Sequence, residues 1–325
     1  MARWIFTHGD GDGLCAGALS SAANPDAMVY FSNPFGLLED LENVDEGDSV
    51  IICDIALSED KLQAVVEKFS MLDEGGGLIY IDHHPLPEGL RVKDIPGKVV
   101  YRLNSSASEL TYRFFREKLG GLLGVLAVYG AVADYLDDTP LIRKLLRMWD
   151  RRTVYFETGV LVQGIEGRKR DYEFKRSLVH HLAMGSSPAS YPKLVELAVE
   201  NTLAEWDMIR ELKDYLQVEG EIAYVLDMPF SHGKSAVYVR ALADVKVGVA
   251  GETRKGMVDM SLRTCSRDLD LNRILRRIAP MFGGSGGGHP AAAGARIPEQ
   301  SFNEFIQRLN GEICMCKGKA SGSSV

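Results

Sequence analysis

The run Gly75-Gly76-Gly77-Leu78-Ile79-Tyr80-Ile81-Asp82-His83-His84-Pro85 is the strongest constraint on the fold. A short continuous apolar stretch reads as a strand buried on both faces, the signature of a parallel sheet. Pro85 offers no N–H and stops the strand. Asp82, His83 and His84 therefore stand at a strand's carboxyl end, where open α/β sheets collect their ligands. Two adjacent imidazoles and a carboxylate suit hard or borderline divalent metals. The same triplet alone also describes a capped turn, so the other acidic strand ends must separate the two readings.

Further strands are expected at residues 3–7, 28–32, 50–53 and 99–103, and helices at 14–23, 57–69, 109–118 and 122–135, with Ser58 an N-cap. This alternation predicts βαβ units, an α/β class and an N-terminal parallel sheet. Residues 9–13 read as a tight loop. Beyond Tyr135 the pattern turns helical at 139–150, 172–183 and 191–217, then strands return at 221–226, 245–250 and 258–263. The organisation expected is an N-terminal catalytic domain over 1–136, a helical connector over 137–217, a smaller α/β domain over 218–312 and a disordered Gly/Ser-rich tail over 317–325.

Four segments end a strand or apolar run in metal-type ligands: His8-Gly9-Asp10-Gly11-Asp12, Asp54, Asp82-His83-His84 and Asp134. Gathered carboxylates repel one another and raise their pKa values unless cations neutralise them. The count suffices for two metals sharing a bridging carboxylate, an arrangement that activates water and clamps a transferring phosphoryl group. Taken singly, the first segment matches a plain turn and Asp54 a helix cap, whereas Asp134 inside an apolar stretch is unusual.

These residues resemble the DHH phosphoesterase superfamily, named for the triplet found here at Asp82-His83-His84. His8, Asp10 and Asp12 match its first motif, Asp54 its second and Asp134 its fourth, although Tyr135 follows Asp134 where members often have threonine, and Asp138-Thr139 lies four residues on. The resemblance implies two Mn2+ ions, with Mg2+ as the substitute. His8, Asp10 and Asp54 would hold one; Asp12, Asp54, His83 and Asp134 the other. His84 would face the substrate phosphate, with Asp82 supporting the site. The run from Gly283 to Gly294, with Gly286, Gly287, Gly288 and His289, reads as an anion-binding concavity of exposed N–H groups, or otherwise as a linker. Arg263 at a strand end is placed to clamp phosphate. Together these resemble the DHHA1 substrate domain. Ser105 and Ser108, in the loop entering a helix, join the expected substrate contacts.

The net charge of −8 argues against a general duplex-DNA binder but leaves room for one basic groove. Arg151-Arg152 and Arg168-Lys169-Arg170 read as solvated faces, or as the lining of such a groove. His180-His181 reads as surface or hinge, and His232 as part of a loop. Five cysteines without framework spacing, no long apolar run and a polar N-terminus predict reduced thiols in a cytoplasmic protein without a membrane segment. The resemblance implies a metal-dependent phosphodiesterase or exonuclease that releases nucleoside 5′-monophosphates from short or single-stranded nucleic acid, DNA or RNA. Oligonucleotides of a few residues are expected to be preferred. The alternatives are a cyclic dinucleotide phosphodiesterase, a 3′-phosphoadenosine 5′-phosphate phosphatase, or a metal-free binding or replication-scaffold protein. A homodimer and a replication or repair protein are the expected partners.

Overall fold

The structure is a computed structural model that describes residues 1–168 and 170–315. The expected tail over 317–325 and Lys169 lie outside the described residues. The chain divides into two compact units, Met1–Thr202 and the part from Leu203 onward.

The first unit carries β1 (Arg3–Thr7), α1 (Gly11–Ala23), β2 (Met28–Phe31), α2 (Leu37–Asp40), β3 (Ser49–Cys53), α3 (Leu62–Gly75), β4 (Leu78–Asp82), β5 (Lys98–Tyr101), α4 (Ala107–Phe115), α5 (Gly124–Ala133), α6 (Pro140–Leu146), α7 (Arg151–Ile165) and α8 (Tyr172–Ala183). Helix α9 (Pro192–Tyr215) runs on into the second unit. The five strands form an all-parallel sheet in the order β2-β1-β3-β4-β5. Alternation sets its two faces. Ile5, Ile51, Cys53 and Ile81 pack with Ala16 of α1 and Ala107 and Leu110 of α4. Phe6, Val50, Ile52, Leu78 and Tyr80 pack with Val65, Phe69 and Leu72 of α3 on the other side. Each such large side chain, fully buried, contributes about 1.5–3 kcal/mol relative to exposure. The strand order reverses between β1 and β3, so the crevice at their carboxyl ends is the place this topology reserves for a ligand.

Several elements differ from the sequence expectation. Helix α1 begins at Gly11 rather than Leu14, because Asp10 caps it by accepting from the Gly13 N–H at 3.0 Å. Gly13 is required there, since a Cβ would sit 2.3 Å from the His8 carbonyl oxygen. Ser58 makes no side-chain cap; a 3-10 turn precedes α3. The segment expected as a helical connector over 137–217 contributes to the core of the first unit. Ile142, Leu145, Val154, Leu161, Leu178, Leu182 and Leu194 of α6 to α9 share one core with Leu14, Ala18, Leu126 and Val128.

The second unit adds β6 (Gln217–Glu219), β7 (Ile222–Leu226), α10 (His232–Leu242), β8 (Val247–Arg254), β9 (Met257–Thr264), α11 (Leu271–Ile278), β10 (Ser285–Gly288), β11 (Ala292–Pro298) and α12 (Phe302–Met315). Its six-stranded mixed sheet runs β10-β11-β9-β8-β7-β6. Val249, Val258, Leu262 and Ile297 pack with Leu275 and Ile278 of α11 and Phe305 and Leu309 of α12. His232 opens helix α10, so the loop expected there is a helix start. Among the described residues no helix is long and apolar enough to cross a membrane.

Candidate metal centre

Three neighbouring parallel strands deliver the first set of side chains. The chain leaves β1 through His8 into the cap of α1, leaves β3 through Asp54, and ends β4 at Asp82 before His83 and His84. Asp54 adopts φ of 59°, a left-handed conformation that aspartate tolerates better than most residues. Strained backbone of this kind concentrates at functional sites. Asp134 caps the carboxyl end of α5 and completes the group.

Ligand atoms of His8, Asp10 and Asp54 lie within 4.8 Å of one another, and so do those of Asp12, His83 and Asp134. The His83 Nε2 atom stands 3.2 Å from Asp54, 3.6 Å from Asp134 and 3.8 Å from Asp12, which joins the two sets. His8 Nδ1 meets Asp10 at 2.7 Å. All six positions expected to hold metal are thus gathered in one place. Asp138 is not among them: it is exposed and paired with Arg143, while Thr139 caps α6.

The electrostatics explain why a cation fits. Burial, then the charges of Asp10, Asp12 and Asp134, push Asp54 well above the ordinary carboxylate range. Burial, with Asp12 and Asp10, lifts Asp134 to about 8. Burial also raises Asp12. Four carboxylates sharing so small a volume are stable as anions only with positive charge among them. Oxygen and imidazole donors together suit a hard or borderline divalent cation.

Asp82 and His84 form a separate pair beside this set. His84 Nδ1 and Asp82 Oδ1 are 2.8 Å apart, and the Tyr80 hydroxyl stands 2.9 Å from the other Asp82 oxygen. Burial alone would lower His84, but the Asp82 charge and hydrogen bond prevail and lift it to about 9. The Tyr101 hydroxyl donates to the His84 carbonyl, fixing that backbone from β5.

Supporting contacts come from distant parts of the chain. Asp12 accepts from the backbone N–H groups of Ala107 and Ser108 at 2.6 and 3.0 Å, at the N-terminus of α4. That end of a helix favours a carboxylate. Gly130 of α5 lies so close that a Cβ would be 2.5 Å from Asp12 Oδ1. Ser105 and Ser108, expected as substrate contacts, are buried at the start of α4, as Asp12, Asp54 and His83 also are. The Ser108 hydroxyl pairs with Ser106 inside the helix start. One residue escaped the sequence reading altogether. Lys175 of α8 is 3% exposed and donates its ammonium to the Gly9 carbonyl at 2.6 Å, tying the helical layer to the first ligand loop. Its position with Leu178, Val179 and Leu182 on one apolar helical stripe was the available signal.

In the second unit, Arg263 lies at the end of β9, opposite Ala292, and packs its guanidinium over Gly233 at the start of α10. His289 turns the hairpin between β10 and β11, its N–H donating to the Ala292 carbonyl. Arg263 and His289 thus share one end of this sheet. The glycine run forms an edge strand and the turn that follows it. Gly286, Gly287 and Gly288 belong to edge strand β10 and pair with β11. The Gly288 N–H is taken by the Asn272 side chain. A Cβ on Gly286 would stand 3.0 Å from Leu275 of α11, so close packing by itself favours glycine there.

Comparison with known proteins agrees with this architecture. Residues 231–314 match the family model of the DHHA1 domain. No curated protein sequence matches the chain. Among solved structures, RecJ from Thermus thermophilus in complex with Mn2+ superposes with a TM-score of 0.68 at 18% identity, covering 97% of this chain and 52% of that one. The chain therefore spans about half the length of that RecJ. The DHH domain of a protein described as a member of a ribosomal protein family gives 0.69 at 15% identity, over 96% and 86%. The pGpG-specific phosphodiesterase PggH from Vibrio cholerae gives 0.60 at 14% identity, over 97% and 99%. The chain has the fold of DHH-superfamily proteins and carries a DHHA1 domain.

Proposed function

We propose that the protein is a metal-dependent phosphodiesterase that hydrolyses short or single-stranded nucleic acid to nucleoside 5′-monophosphates, with Mn2+ as its working metal. The observation that carries this reading is the convergence of His8, Asp10, Asp12, Asp54, His83 and Asp134 at the carboxyl edge of the parallel sheet. His8, Asp10 and Asp54 would hold one ion, and Asp12, Asp54, His83 and Asp134 the second. When bound, such ions supply a nucleophile at neutral pH and neutralise charge on the phosphoryl oxygens. The chain's own part is positioning and charge. Asp82 orients His84 through Nδ1 and keeps the ring cationic at neutral pH, so that it donates to a phosphoryl oxygen as charge develops there. Lys175, through the Gly9 carbonyl, and the N-terminus of α4, through Asp12, hold the start of α1 in register. Arg263 and His289 are assigned to the substrate's anionic groups. The complete donor set favours an enzyme over a scaffold that keeps the fold without metals.

The substrate lies between two readings, a dinucleotide and a longer single strand. PggH, described as pGpG-specific, is matched over 99% of its length and an exonuclease RecJ bound to manganese over 92% of its own, so coverage favours neither. The net charge of −8, which disfavours tight binding along a long strand, supports a small substrate. A Mn2+-supplemented panel of dinucleotides, a long single strand, a duplex, a cyclic dinucleotide and 3′-phosphoadenosine 5′-phosphate tests it. Linear oligonucleotides are expected to give 5′-monophosphates with the highest kcat/KM, and duplex the lowest. Turnover of only the cyclic dinucleotide, or only 3′-phosphoadenosine 5′-phosphate, would replace this reading with the matching alternative.

A further inference from the structure

One surface of the first unit is basic although the chain as a whole is acidic. Residues 143–152 hold five cations, Arg143, Lys144, Arg147, Arg151 and Arg152, against the single carboxylate of Asp150. All five are exposed, on the outer side of α6 and the first turn of α7. Two of them have acidic partners, Arg143 in Asp138 and Arg152 in Asp150. Tyr155 and Phe156 follow one turn later and are 48% and 61% exposed. The inner side of the same segment is buried through Ile142, Leu145 and Val154, so this outer face is not needed for the core.

Helix geometry connects that face to the ligand loops. Arg151, Tyr155, Gly159 and Val162 are spaced i, i+4, i+8 and i+11, which keeps them on one side of α7. Val162 closes the line at the first motif: a Cβ built on Gly11 would meet its Cγ2 at 3.4 Å and Ala133, the residue before Asp134, at 2.7 Å. Gly159 lies between with nothing within 4 Å of the place a Cβ would occupy. The line therefore runs from an arginine, past an exposed aromatic ring and an open glycine, to the edge of the centre. At about 1.5 Å per residue it is about 16 Å long, on the order of five nucleotides at the stacked spacing of about 3.4 Å.

We propose that this face of α7 is a track for the single-stranded part of a nucleic-acid substrate beyond the bond being cut. Tyr155 stacks a base, Arg151 binds the backbone with the cations of α6 extending its field, and Gly159 leaves room for the strand. The proposal rests on the phosphodiesterase reading for its purpose and refines it: the track lets a strand longer than a dinucleotide gain affinity although the whole protein is anionic.

The test uses full-length protein and a fluorescein-labelled dT12, with affinity read by anisotropy in chelator so that no cleavage occurs. Arg151→Ala/Tyr155→Ala is expected to weaken dT12 binding about tenfold and to flatten its salt dependence. Gly159→Glu, which fills the open position with a carboxylate, is expected to act in the same direction. With Mn2+ present, the ratio of kcat/KM for dT12 to that for a dinucleotide should fall about tenfold in both variants. Affinity within twofold of wild type in both variants, or an unchanged ratio, overturns the track. So does displacement of dT12 by polyglutamate as effective as by unlabelled dT12, which would reassign the face to acidic protein partners. Loss of dT12 affinity in variants of a protein that cleaves no phosphodiester would support the track and reject the phosphodiesterase reading.

Discussion

Asp54→Ala is expected to lower kcat about a thousandfold or more on any phosphodiester that the protein turns over, with the fold intact. Asp54 has a ligand atom among those of His8 and Asp10 and another contact to His83, which joins it to Asp12 and Asp134. Its loss therefore disturbs both halves of the centre. The structural penalty is small because two changes oppose each other. Alanine at φ of 59° costs about 1–2 kcal/mol. Against that, a buried carboxylate pushed up by burial and four like charges is removed. Asp54→Asn tolerates the left-handed backbone and serves as the isosteric control. Melting of both variants in chelator should stay within a few degrees of wild type while activity is lost. Activity within tenfold of wild type in both would take Asp54 out of the centre.

The second large effect is on stability. In metal-free protein the folded state keeps protons that the unfolded chain has released. Asp134 does so between the ordinary carboxylate value of 3.8 and about 8, and His84 between 6.5 and about 9. Stability contributed this way is present at the lower pH and lost as pH rises through the folded value. The chelated protein is therefore expected to melt at a lower temperature at pH 9 than at pH 6.5. Mn2+ binds the deprotonated carboxylates, so its stabilisation should grow over the same range. Free ion at 1,000 times its Kd contributes about 4 kcal/mol. Differential scanning fluorimetry with chelator and with Mn2+, across pH 6.5 to 9, measures both. A chelated protein that gains stability toward pH 9, or no Mn2+ effect there, contradicts this electrostatic description.

Much of the centre was legible because its ligands close apolar strands. The runs before His8, Asp54 and Asp82 announce buried parallel strands, and a parallel sheet brings their ends together whatever the loops do. What escaped the sequence depends on packing between distant segments. The grip of α4 on Asp12 joins positions nearly a hundred residues apart, and no local pattern records it. Helix α7 was missed because Thr153, Val154, Tyr155, Phe156, Thr158 and Gly159 are weak helix formers. The burial of Val154, Thr158, Leu161 and Ile165 at i, i+4, i+7 and i+11 overrides that preference. The strand that the glycine run forms is not legible in the sequence for a related reason. A glycine that lets α11 approach an edge strand looks, in sequence, the same as one that frees an N–H for an anion. The segment over 137–217 was read as a helical connector from its charges and lack of strand alternation; the apolar stripe of its helices joins the core of the first unit.

The most direct test strips the purified protein with chelator, exchanges it into metal-free buffer and follows a 5′-labelled trinucleotide before and after Mn2+ is restored. The account predicts no cleavage in the stripped protein, then conversion to 5′-monophosphate once Mn2+ is added, with no recovery in Asp54→Ala. Cleavage by the stripped wild type at the same rate, or an intact trinucleotide after Mn2+ is restored, would contradict it.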